Sequence, residues 1–256
     1  MKSFLALAGL ALFISLPVMA QRGGPPGPMG PGGPRGFGRE FHDQKLVTGE
    51  PYTATVTNAI VQQLAGGNSI QRTTTGQVAR DGQGRTYDQQ TITGGPLAQN
   101  GPRTLTFITD PVAGYSYVLD SDRKTAFRRP FKPHDFERGP GPNAGLRHQQ
   151  SAATETDLPA DSSSGVVAQG KSRTRTIPAG AIGNTQPIVS TSETWTSPDL
   201  QIVVKAVRND PRFGQSTYSL TNIVTKEPDA SLFQVPAGYA VKDGPGRGPQ
   251  HDPAQP

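Results

Sequence analysis

Cysteine is absent from all 256 residues. That excludes disulfides, thiol nucleophiles, cysteine-ligated metals and a lipid-modified cysteine anchor. Histidine is scarce, with four residues, and tryptophan occurs once. Of the histidines, His42 borders one end of the chain, His134 and His148 fall in a polar central stretch, and His251 lies near the other end. None stands at ligand spacing from another His, Asp or Glu on a strand, so no metal ligand set is visible and none is expected. A Gly-x-Ser-x-Gly elbow is missing too. Ser121 and Lys124 have Ser-x-x-Lys spacing but sit in a charged turn, and Gly94-Gly95 lacks the Lys-Ser/Thr of a phosphate loop. These absences point away from an enzyme and from a bound cofactor.

Long apolar runs are equally rare, the exception being residues 4–18, broken by Gly9, Ser15 and Pro17. Lys2 precedes this run and Val18-Met19-Ala20 follows it, with small residues at the −3 and −1 positions before Gln21. This is the pattern of a secretory signal peptide over residues 1–20, too short and wrongly flanked for a spanning helix. The expected location is periplasmic or secreted, with no membrane span.

Residues 21–44 are rich in Gly and Pro, with Gly at every third position from Gly24 to Gly36, and residues 244–256 repeat the bias. Five such triplets are few for a collagen helix, and both ends lack the apolar surface that offsets ordering entropy. They read as a disordered tether and a disordered tail around one domain over residues 45–243.

Inside that domain the pattern is period two. Tyr52, Ala54 and Val56 alternate with Thr53, Thr55 and Thr57, whereas residues 202–207 are apolar on both faces except at Lys205. Turn signals recur at short intervals: Asp81-Gly82-Gln83-Gly84, Ser197-Pro198-Asp199, Asp110-Pro111 with Gly114, and Asp210-Pro211 with Gly214. Together they describe an antiparallel meander of eight to ten strands. Helical candidates are limited to a turn at residues 228–233 and to residues 143–150. The stretch from about 130 to 164, rich in Pro, Gly, Ser, His and Gln, reads as a flexible insertion.

Two groups of side chains are candidates for binding. Net charge is +5, and Arg123, Lys124, Arg128, Arg129, Lys132 and Arg138 cluster with phenylalanines between them. Such a cluster is either a solvated loop or a contact for an anionic surface; in an exported protein a nucleic-acid partner is not expected. Trp195 shares a strand face with Glu193, and either caps the core or lines a ligand cavity together with Phe107, Ile202 and Tyr218.

The last third carries recognisable text. The runs 175–184, 193–200, 210–214 and 218–223 resemble a group of uncharacterised exported bacterial proteins, over about residues 100–242. The ending, from Glu227-Pro228-Asp229 through Leu232-Phe233 to Pro236-Ala237-Gly238-Tyr239, is similar to that of the LolA/RseB-like superfamily. The resemblance implies a strongly curved, incomplete antiparallel barrel whose concave side holds acyl chains or senses a partner. It also implies a non-enzymatic binding module, an apolar-ligand carrier or envelope sensor whose partner is an apolar small molecule or an envelope protein. The alternatives are a structural or adhesive protein acting through the tether and basic loop, and an unrecognised hydrolase.

Overall fold

The structure is a computed structural model that describes residues 46–93, 98, 100–131 and 153–244. The signal segment, the tether, the tail from residue 245, the helical candidate at 143–150 and residues 132–152 of the insertion lie outside the described residues.

The protein is mainly β. Among the described residues, twelve strands form one sheet: β1 (Tyr52–Gln63), β2 (Ser69–Arg80), β3 (Thr86–Ile92), β4 (Arg103–Asp110), β5 (Tyr115–Asp120), β6 (Thr125–Pro130), β7 (Ala153–Asp161), β8 (Ala168–Ile177), β9 (Ile188–Ser197), β10 (Ile202–Asp210), β11 (Gly214–Val224) and β12 (Ala240–Asp243). Their spatial order is β12-β6-β5-β4-β3-β2-β1-β11-β10-β9-β8-β7, with β12 and β7 at the margins, so the sheet does not close into a barrel. All pairings are antiparallel except β12 on β6. The meander therefore runs in two stretches, β1–β6 and β7–β11, joined where β1 pairs with β11.

Strand β7 falls within the stretch expected to be an insertion. Its sequence ATETDLPAD has one large apolar side chain, Leu158, and it carries Glu155, Asp157 and Pro159. A marginal strand needs few apolar residues because both its faces stay wet, and charge and proline discourage further pairing. The period-two signal is therefore weak there although the ladder to β8 is regular from Ala153 to Leu158. The turn expected at 228–233 is a 3-10 helix, Ala230–Phe233, whose preceding Asp229 accepts from the Ser231 backbone at 2.8 Å.

Aspartates close the hairpins. Asp81 Oδ1 accepts from the amides of Gln83 and Arg85, Asp110 Oδ1 from those of Val112 and Ala113, and Asp210 Oδ1 from that of Arg212. The likeness of the Asp110 and Asp210 turns is thus shared turn chemistry. At Gly76 the chains of β2 and β3 approach so closely that an added Cβ would lie 1.7 Å from the Gln89 carbonyl oxygen. Only glycine fits there.

Register and alternation sort the side chains onto two faces. Tyr52, Ala54, Val56, Val78, Ala206, Tyr218 and Leu220 belong to one core cluster, centred on β1, β2, β10 and β11, here called the Tyr218 side. Ala79, Tyr87, Ile108, Leu119 and Ala126 point to the other side of β2–β6, where Phe233 seals them with Leu232, Val235 and Tyr239 against it.

Candidate functional site

Of the four residues expected to line a cavity, Tyr218 and Ile202 lie in one core cluster and Trp195 packs against it, whereas Phe107 stands apart. Tyr218 is fully buried in the first core cluster, opposite Asn58 and Ala206, and Ile202 is buried in that cluster as well. Burial drives the Tyr218 phenol well above its ordinary pKa, aided by Tyr52 and Asp88. Trp195 pairs with Lys205 and Gly170 and so lies on the other face. Its indole spreads over Gly170, where an added Cβ would lie 2.7 Å from Nε1. That Nε1 donates to the Pro159 carbonyl at 3.2 Å, and Lys205 Nζ sits 4.5 Å from the ring centroid while reaching Asp161 at 3.7 Å. Trp195 is held on three sides and packs on the core's margin.

Phe107 is on the Tyr218 side, on β4, with β1, β2 and β3 between it and Tyr218. Its neighbours in register are Asp88 on β3, Val118 on β5 and, across from Val118, Phe127 on β6. Leu105 stands two residues away on the same face. Leu105, Phe107 and Val118 are half-buried, and Phe127 is 38% exposed. None of the four belongs to either core cluster.

This row has a polar border. Gln90 donates to both Asp88 oxygens at 3.1 Å, and Arg103 donates to Asp120 at 2.5 Å. Burial alone would raise the Asp120 pKa, but the bonds from Arg103 and from the Arg123 and Asp122 amides outweigh it and hold the carboxyl below its ordinary value. Asn58 is buried and its Oδ1 has no hydrogen-bond partner.

The basic cluster is divided. Arg123 and Lys124 sit in the β5–β6 turn; Arg123 reaches Asp120, and Lys124 Nζ lies 5.2 Å from the Tyr239 ring centroid. Arg128 bonds Asp243 at 3.0 Å and stacks on Tyr115, whereas Arg129 points to the other face. Lys132 and Arg138 lie outside the described residues. Among the described residues no cluster of His, Asp and Glu is arranged to hold a metal ion, and no helix is long and apolar enough to cross a membrane.

Val118, Leu105 and Phe127 were not singled out as ligand contacts, yet a signal for them exists. Phe107-Ile108, Val118-Leu119 and Ala126-Phe127 are apolar pairs in three successive strands. A strand with one wet face alternates; a doubled apolar pair marks side chains needed on both faces.

No family model matches the chain, and a search of curated proteins gives no match. Among solved structures the chain is similar to MucB in a complex with MucA(peri), at 10% identity and a TM-score of 0.37, covering 77% of this chain and 56% of that one. It is also similar to a putative outer membrane lipoprotein-sorting protein domain from Vibrio parahaemolyticus, at 8% identity and a TM-score of 0.27, covering 72% and 89%. A third is a beta-barrel-like protein of unknown function from Brucella abortus, at 12% identity and a TM-score of 0.21, covering 71% and 100%.

Proposed function

We propose that this chain is an exported, non-enzymatic binding module that takes an apolar ligand, or an apolar segment of an envelope protein, against the row Phe107-Val118-Phe127. One observation carries the reading. Strands β4–β6 already have a sealed apolar face under Phe233, and they nevertheless present a second set of large apolar side chains on the Tyr218 side. Exposed apolar surface lowers solubility and is kept where something covers it, at roughly 25 cal/mol for each Å² removed from water. The neutral pair Arg103–Asp120 at its margin favours a ligand whose body, not its charge, supplies the affinity. The segment 1–20 supports export.

Titration with a long-chain fatty acid or an environment-sensitive fluorophore tests this. Saturable binding is expected, weakened about ten-fold or more by the pair Phe107→Ser and Phe127→Ser and unchanged by Trp195→Phe. Binding that survives the double variant and disappears with Trp195→Phe would transfer the site to the other face.

A further inference from the structure

Strand directions divide the hairpin tips between two ends of the sheet, and the ends differ. At one end, three tips follow one another along the order β2-β1-β11-β10-β9-β8, those of β1–β2, β10–β11 and β8–β9. Each tip presents a large apolar side chain to solvent: Leu64 at 38% exposure, Phe213 at 67% and Ile182 at 58%. Single exposed apolar residues are ordinary; three on consecutive tips are not.

The tips are also built to hold these side chains out. Leu64 N donates to the Asn68 carbonyl, closing the first tip. Ile182 N donates to Asn184 Oδ1, and Asn184 Nδ2 donates to the carbonyls of Pro178 and Gln186. Phe213 N donates to the Asp210 carbonyl, and the guanidinium of Arg212, bonded to Asp210, lies 5.0 Å from the Phe213 ring centroid. Behind it, Gly214 is backed against β1, where a Cβ would meet the Val61 carbonyl oxygen at 2.2 Å.

Charge supplies the independent observation. Arg72, Arg175, Arg208 and Arg212 lie at this end, and the β5–β6 turn with Arg123 and Lys124 points the same way. The carboxylates there are matched: Asp120 and Asp122 lie against Arg103, Asp210 against Arg212, and Glu155 against Arg173. At the opposite end the exposed Val112 and Val167 sit among charges of both signs, Asp110, Asp161, Asp199 and Glu227 together with Arg80, Arg85, Arg128 and Arg129, with no excess of basic residues.

We infer that the end bearing Leu64, Ile182 and Phe213 docks on an anionic lipid surface, with the three side chains entering the headgroup layer and the arginines facing the lipid phosphates. Separated protruding tips suit a fluid plane, which each can enter alone, better than a protein groove, which needs a continuous patch. Basic residues behind the tips add attraction that acts within a Debye length of the surface.

Flotation of protein recovered after export, with vesicles of phosphatidylcholine alone or mixed with phosphatidylglycerol, tests the inference. Binding is expected to the mixed vesicles only, and to fall from low to physiological ionic strength. The triple variant Leu64→Ser, Ile182→Ser, Phe213→Ser should lower partition about ten-fold or more with unchanged circular dichroism, while Val112→Ser at the other end leaves it unchanged. Equal binding to both vesicle types, no binding to either, or a triple variant that partitions like the parent would overturn it. The ligand titration described above reads a different surface, so either result stands without the other.

Discussion

Trp195 and Phe107 both stand mid-strand in one sheet and both are aromatic, yet the chain surrounds them differently. Around Trp195, every neighbour restrains the ring: Gly170 lies beneath it, the Pro159 carbonyl takes its N–H, and Lys205 covers its face. Around Phe107 the neighbours in register are Asp88 on one side and Val118 on the other, with Phe127 beyond Val118 and Leu105 two residues away, so most of what surrounds it is apolar surface. An aromatic residue's availability to a ligand is decided by the residues across the strand pair and not by its own identity. The single tryptophan, the more conspicuous of the two in the sequence, is the more tightly restrained.

The largest expected effect removes the seal behind the Phe107 row. Phe233→Ala should cost about 3–5 kcal/mol in denaturant unfolding, while Phe107→Ala, on the open side of the same strands, should cost about 1 kcal/mol. Equal losses would erase the difference between the two faces. Next, Gly170→Ala should destabilise by about 1–3 kcal/mol and shift Trp195 emission to longer wavelength, because the new methyl and the indole cannot occupy one place. No emission change would mean that the ring is not held as described.

Acid and alkali act on different parts. Asp210, held by Arg212, and Asp120, held by Arg103 and the Arg123 and Asp122 amides against the opposing effect of burial, have lowered pKa values. Their contribution is present above the unfolded carboxylate pKa of about 4 and is lost as pH falls through the folded values. Tyr218 and Tyr87 are raised chiefly by burial, so their contribution holds below about pH 10 and is lost as pH rises above it. Thermal unfolding across pH should fall away on both sides, and Asp210→Asn should flatten the acid limb. The smallest effect belongs to Lys205→Met: about 0.5–1 kcal/mol, read by the same denaturant curve and by Trp195 quenching.

The strands at the heart of the sheet were legible because burial on one side imposes period two, as in Tyr52, Ala54 and Val56, and because Asp-Pro and Asp-Gly mark their turns. The polar margin at β7 was not, since a solvated strand obeys no hydrophobic pattern. Nor was the separation of Trp195 from Tyr218. Which face a residue takes depends on pairings between distant strands, and β10 breaks register between Val203 and Lys205 on its β9 side, which no local pattern announces. Phe107 could be picked out as an aromatic on a strand; that Val118 and Phe127 are its neighbours is a matter of register.

The seam between β1 and β11 carries a temporal consequence. Thr55 and Asn222, 167 residues apart in sequence, are close enough for Asn222 Nδ2 to donate to the Thr55 hydroxyl. Synthesis from the N-terminus delivers β1 early and β11 nearly last. Until then one side of β1 has no partner, and the loop to be closed spans most of the domain. Contacts this distant in sequence slow folding, and β1 gains its second partner only when the whole domain is available.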